Sequence, residues 1–218
     1  MALELLMIKL VCLSDTHSKH KQVIVPDGDI LIHAGDLTPR GNYYEFISVA
    51  NWFRELKNRF QHRIMIAGNH DWGLQINRNS VIKTLFDEDL IYLQDESIEL
   101  CGIKFHGSPW TPQFYNWAFM DHDEELAQYW AKIPGDTQVL ITHGPPFGIL
   151  DQESDNARCG SKSLLSRIAS LQHLTQHIFG HIHEGYGSIK IQDVSFHNVA
   201  SLNGAYKYQN PPQIIEIE

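Results

Sequence analysis

The sequence predicts a mixed α/β domain built on two β-sheets, and two observations carry the prediction. Short runs rich in Ile, Val and Leu recur along the whole 218-residue chain. Runs of this length and composition form strands, several of them buried on both faces. Helical patterns separate the early runs, whereas the late ones follow each other almost directly, the pattern of a mixed fold with more than one sheet. With 43% hydrophobic and 20% charged residues the chain can bury a sizeable core. No repeat, low-complexity tract or linker divides it, so a single domain over residues 1–218 is expected.

The elements follow in order. Ile8–Ser14 (IKLVCLS), Asp29–Ala34 (DILIHA) and Arg63–Ala67 (RIMIA) are the first expected strands. Between the second and third, residues 43–60 space their apolar side chains as on one helix face. Strands are expected at 91–94 and 103–107, then a helix over 121–133 that opens on acids, the charge a helix N-terminus favours. A strand at 138–142 precedes a helix over 161–171, which follows Gly160 and has Ser161 as a natural N-cap. Strands at 176–180, 188–194, 196–200 and 213–218 complete the chain.

Composition excludes several functions. No apolar run approaches the ~18 residues of a membrane span. The opening Met1–Leu10 carries Glu4 and no basic segment and runs into a strand, so no signal peptide is expected. A formal net charge of -9 lacks the basic footprint of a nucleic-acid polymer binder. Three cysteines, an odd number without C-x-x-C spacing, read as free thiols in a reducing cytoplasm. The 13 histidines are the unusual count, and His is the commonest metal ligand near neutral pH.

Five expected strands end in a residue type that binds metals, usually beside a glycine. VCLSDTH gives Asp15 and His17, LIHAGD gives Asp36, and IMIAGNHD gives Asn69 and His70. VLITHG gives His143, and HIFGHIH gives His181 and His183. In α/β sheets ligands bind beyond the carboxyl ends of strands, so these ends are expected to converge. The adjacent glycines allow tight turns and close backbone approach. In GHIH the two imidazoles share one face of an extended segment.

The series Asp15-x-His17, Gly35-Asp36, Gly68-Asn69-His70-Asp71, His143 and Gly180-His181-x-His183 resembles the calcineurin-like metallophosphoesterase superfamily, from about residue 8 to the C-terminus. The flanking SDTHS, GSPWTP and THGPPFGILD resemble the branch of brain-type metallophosphoesterase-domain proteins and their bacterial relatives, which are phosphodiesterases. The resemblance implies a two-sheet β-sandwich flanked by helices. It implies one metal ion on Asp15, His17 and His183, a second on Asn69, His143 and His181, and Asp36 bridging both. No ligand position is substituted, so an intact dinuclear site is implied.

Mixed oxygen and nitrogen donors suit borderline or hard divalent ions: Mn is the preferred guess, with Fe, Co, Zn and Ni compatible. The resemblance implies hydrolysis of a small phosphodiester, with cyclic nucleotides as candidates, through in-line attack of a metal-bridging hydroxide. In the family pattern His70 faces the substrate, where it can stabilise charge or protonate the leaving alkoxide. Asp71 is expected to support the site or cap backbone. The nearest alternative is a phosphomonoester or phosphoprotein phosphatase; a nuclease and a non-catalytic interaction module on the same fold are the others. A small phosphoester is the expected partner, with no membrane and no nucleic-acid polymer; the sequence does not give the oligomeric state.

Other residues carry weaker expectations. His33, His62, His106, His173, His177 and His197 lie outside the ligand pattern and read as surface or structural. The aromatic segment 109–119 reads as a packed loop or, alternatively, as an apolar wall or base-stacking lid beside the metals. ARCGS (157–161) could offer Arg158 or backbone N–H groups to a phosphate.

Overall fold

The computed structural model describes residues 7–217. Most of Met1–Leu10, the segment that bears on a signal peptide, therefore lies outside the described residues. The first half of the chain contains β1 (Ile8–Leu13), β2 (Ile30–Ala34), α1 (Tyr43–Glu55), β3 (His62–Ile66), α2 (Trp72–Leu85), β4 (Leu90–Tyr92), β5 (Glu96–Leu100) and β6 (Ile103–Ser108). Then come β7 (Thr111–Pro112), β8 (Met120–Asp121), α3 (Asp123–Trp130), β9 (Val139–Thr142), α4 (Lys162–Ile168), β10 (Gln176–Phe179), β11 (Gly187–Ile191), β12 (Val194–Asn198) and β13 (Gln213–Ile217).

Two sheets carry the fold. One has the order β13-β1-β2-β3-β4, the other β11-β12-β10-β9-β6-β5. The central strands of each are parallel, and antiparallel strands close the edges at β13, β11 and β5. Strand periodicity explains the layering. In β1, Leu10 and Cys12 point between the sheets, where Ile32 and Ile64 of the first sheet meet Phe105, Ile141 and Ile178 of the second. Val11 and Leu13 point the other way, against Phe46, Val49 and Phe53 of α1 and Leu74 of α2. On the far side, Leu140, Phe179 and Phe196 pack under Leu126 and Trp130 of α3 and Leu164 and Ile168 of α4. Strands that read as continuous apolar runs are thus covered on both faces, as the sequence implied.

Local signals operate where expected. Ser161 Oγ accepts the Leu164 N–H and caps α4, and α3 carries Asp123, Glu124 and Glu125 in its first turn. The predicted strand at 188–194 is corrected: a turn at Gln192–Asp193 splits it into β11 and β12, with Gln192 at a φ of 54°. Helix α2 and strand β5 have no counterpart among the predicted elements. Of α2 only Leu74, Val81 and Leu85 are buried, and Asn77 leaves helical geometry inside it, so it shows little of the periodicity that marks a helix. β5 is an edge strand whose Glu96, Ser97 and Glu99 are exposed, so it lacks an apolar run.

Candidate metal centre

The chain leaves β1, β2 and β10 through residues in left-handed conformation: Asp15 (φ 52°), His17 (39°), Asp36 (54°) and His181 (69°). For non-glycine residues such angles are uncommon and mark a locally over-determined backbone. Hydrogen bonds between the first two turns hold them. The Asp15 N–H donates to Gly35 O at 3.0 Å, His17 N–H to Asp36 O at 3.1 Å and Ser18 N–H to Leu37 O at 2.9 Å. Glycine is required where these turns meet: a Cβ on Gly180 would lie 2.1 Å from Asp15 Oδ2, and one on Gly68 2.3 Å from Asp36 Oδ1.

The strand ends converge as the sequence implied. Asp15, His17 and His183 bring one ligand atom each within 4.8 Å of one another; so do His17, Asp36 and His70, and so do Asp15, Asp36 and His143. Asp36 occurs in two of the three groups, and the reason is visible in its two oxygens. Oδ1 accepts the backbone N–H of His70 at 2.8 Å. Oδ2 is left to face His143 Nε2 at 3.4 Å, His17 Nε2 at 3.5 Å and His70 Nε2 at 4.0 Å. On one side Asp15 Oδ1 lies 3.5 Å from His183 Nε2. On the other, Asn69 Oδ1 lies 3.0 Å from His143 Nε2. His181 sits beside this second cluster, its ring centroid 5.0 Å from that of His143, while its backbone N–H donates to Asp15.

The imidazoles are oriented from behind. His143 Nδ1 contacts Ala34 O at 3.0 Å, His183 Nδ1 contacts Asn203 O at 3.0 Å, and His70 Nδ1 contacts Pro39 O at 2.7 Å. A carbonyl only accepts, so each Nδ1 carries the proton and turns Nε2 toward the carboxylates. This is how metal-binding histidines are fixed.

In the metal-free chain the electrostatics keep the carboxylates charged and divide the imidazoles into two groups. Burial would raise the Asp36 and Asp15 carboxyls, but neighbouring imidazoles outweigh it and hold both below the ordinary range. Burial pushes His17 down to about 4 and His181 to about 3, leaving both rings neutral. For His143 burial is outweighed by the Asp36 carboxylate, and the ring is raised to about 9; His183 is raised likewise by Asp15. Both ring nitrogens of His17 are buried without a hydrogen-bond partner. Such orphans are rare unless an ion or water completes them; two carboxylates, an amide and imidazoles are a donor set that fits divalent metal ions, whose binding would displace the protons from His143 and His183.

A family model described as calcineurin-like phosphoesterase matches residues 8–185. The chain belongs to the calcineurin-like phosphoesterase family. As a member it is a metal-dependent hydrolase of phosphoric esters. It is 39% identical over 224 residues to UPF0046 protein K07C11.7 of Caenorhabditis elegans, covering 96% of this chain and 75% of that one. It is 33% identical over 235 residues to metallophosphoesterase domain-containing protein 1 of Homo sapiens, covering 96% and 71%. A solved dimetal phosphatase from Danio rerio shares the fold at a TM-score of 0.53 and 10% identity, over 91% of this chain and 88% of that one.

The residues around this cluster take several different roles. Asp71 is fully buried and accepts from Leu37 N, Thr38 N, Thr38 Oγ1 and Gly68 N, locking the Asp36 turn to the Asn69 turn. Trp72 begins α2 and packs against the helix-side core. The aromatic segment divides. Trp110 stacks on Tyr129 and Phe119 is buried, which is packing. Trp117 stacks on His70 at 4.3 Å, and Phe114 lies exposed 5.5 Å from His181. Arg158 Nη1 pairs with the buried Asp151 at 2.7 Å, while the rest of its guanidinium has no partner among the described residues. All three cysteines are free, and burial followed by Glu153 pushes Cys159 up to about 11, away from nucleophilic use. Asn203 and Tyr206 were missed; their one sequence signal is the turn dipeptide Asn203-Gly204 in LNGAYKY. No helix among the described residues is long and apolar enough to cross a membrane.

Proposed function

We propose that this chain is a dinuclear phosphodiesterase acting on small phosphodiesters, cyclic nucleotides among them. The observation that carries the dinuclear reading is Asp36 Oδ2, placed between His17 Nε2 at 3.5 Å and His143 Nε2 at 3.4 Å while Oδ1 is tied elsewhere. Asp15, His17 and His183 would hold one ion; Asn69, His143 and His181 would hold the other, with Asp36 shared. Two divalent ions there supply Lewis acidity toward the phosphoryl oxygens and a water of lowered pKa. Manganese is the preferred metal on donor type, with Fe, Co, Zn and Ni compatible. That the two sheets share one core supports a single-domain reading.

The chain's own part is orientation and proton transfer. The carbonyls of Ala34 and Asn203 aim His143 and His183, and Asp71 fixes the turns that carry Asp36 and Asn69. Pro39 O holds Nδ1–H of His70 from one side and Trp117 stacks on its ring from another. As imidazolium, His70 would keep Nδ1–H on Pro39 O and give its Nε2 proton to the leaving oxygen, so that as water's oxygen joins phosphorus and the P–O bond breaks the leaving group departs as an alcohol. The diester preference rests on the resemblance of the SDTHS, GSPWTP and THGPPFGILD segments to the phosphodiesterase branch; the -9 charge supports compact substrates over nucleic-acid polymers and a location in the cytoplasm is proposed from the free thiols. Assay of a bis-aryl and a mono-aryl phosphate with Mn²⁺ tests the preference. Faster turnover of the diester is expected, and a strong preference for the monoester would overturn it.

A further inference from the structure

The family match ends at residue 185, yet one side of the site is built by a later loop. Residues 203–208 form a tight turn organised by Asn203. Its carbonyl accepts the Tyr206 N–H at 2.7 Å, and its Oδ1 accepts from Ala205 N at 3.0 Å and Lys207 N at 3.1 Å. The same carbonyl holds His183, and Lys19 Nζ donates to the carbonyl of Tyr206. The loop is thereby fixed to the metal-facing histidines through shared atoms.

Tyr206 stands at a φ of 56°, a conformation tyrosine rarely adopts. Its ring packs edge-on against His17 at 5.0 Å and His183 at 5.1 Å, yet it remains 46% exposed. A half-exposed aromatic side chain packed against these two imidazoles is within reach of whatever the site holds. Beside it lies a cavity of about 170 Å³ lined by Tyr206, Gly204, His181, His183, Glu153 and Glu184. The two carboxylates repel the phosphate itself, so the cavity suits the part of a substrate that donates hydrogen bonds.

We propose that Tyr206 is a specificity-determining residue: its open face stacks the planar base of a nucleoside phosphoester, while Glu153 and Glu184 accept hydrogen bonds from sugar hydroxyls or a base amine. The choice of a diester in the test rests on the phosphodiesterase reading; the aromatic recognition does not. The test measures kcat and KM, with Mn²⁺, on adenosine 2′,3′-cyclic phosphate and on glycerol 1,2-cyclic phosphate, which keeps the cyclic diester and lacks the base. Tyr206→Ala is expected to lower the ratio of kcat/KM between the two on the order of tenfold, mainly through KM, the size of one base–aromatic stack. Tyr206→Phe keeps the face and is expected to keep the ratio. Tyr206→Leu keeps apolar bulk without the planar face and must show the same fall, which covers the case that the alanine variant does not fold. An unchanged ratio, or an equal loss on both substrates, overturns the proposal. Should the wild type hydrolyse only monoesters, the diester reading fails; the same ratio is then read on adenosine 5′-phosphate against glycerol phosphate, and a fall confined to the nucleotide upholds Tyr206.

Discussion

At the carboxyl ends of β1, β9 and β10, His17, His143 and His183 turn Nε2 toward carboxylates at 3.4 to 3.5 Å. Within the strands, His33, His106 and His177 are as deeply buried but meet hydroxyls instead: Thr16 at 3.0 Å, Ser97 at 2.8 Å and Thr142 at 2.8 Å. The hydroxyl of Thr142 donates to Gly144 O, so it accepts from His177 Nε2–H. The strand histidines are neutral polar groups, each with one ring nitrogen paired to a hydroxyl and the other buried without a partner. The strand-end histidines face an excess of negative charge, and His17 has no hydrogen-bond partner at all. Burial of an imidazole therefore says little about function. The chemistry lies in which atom faces it and whether that atom is already satisfied.

The comparison breaks most visibly at Asp36. Asp36→Ala is expected to lower phosphodiester hydrolysis by about 10³-fold, the upper range for one preorganised electrostatic group. Chelation is expected to abolish activity, with recovery on adding Mn²⁺. His177→Ala, purified as folded protein, is expected to retain activity; loss equal to that of Asp36→Ala would erase the distinction between the two regions.

A smaller effect is expected at His70. His70→Ala should lower kcat by about 10²-fold on alkyl esters and less on p-nitrophenyl esters, whose leaving group needs no proton. Equal losses on both, in steady-state assays, would remove the acid role.

The strand histidines sharpen the contrast through pH. Burial pushes His33 and His177 down to about 3 and His106 to about 4 from an ordinary 6.5. The unfolded chain protonates them first, so their stability contribution is complete above pH 6.5 and is lost as pH falls toward 4. Each contributes a slope of about 1.4 kcal/mol per pH unit in that window. Denaturant midpoints measured between pH 7 and pH 5 should fall steeply; a flat profile would mean these rings are charged or solvated. Smallest is the single-site effect: His177→Ala should destabilise by about 1–3 kcal/mol through a cavity and the lost hydrogen bond to Thr142 Oγ1, read by thermal or chemical unfolding.

Much of the site could be seen in the sequence because the signals are local. Apolar strand runs stop at Gly35, Gly68 and Gly180, and the next residue in each case is Asp36, Asn69 or His181. The sandwich was legible for the same reason, since alternate residues of β1 serve two separate cores. What the sequence hid depends on contact between distant segments. Nothing near His183 announces that Asn203 O orients it, and nothing near His17 announces Tyr206. Helix α2 was hidden because a polar surface helix lacks a periodic apolar stripe. The histidines inside strands could not be separated from surface ones, since their hydroxyl partners come from neighbouring strands and loops.

An Asp36 shared by two ions fixes the metal stoichiometry. That sharing is tested most directly by the metal content of the purified chain, loaded with Mn²⁺ and measured by elemental analysis beside Asp36→Ala. Two ions per wild-type chain, falling to one or none in the variant while the far-ultraviolet circular dichroism is kept, is the predicted result. A single ion in the wild type, or two ions retained without Asp36, would contradict it.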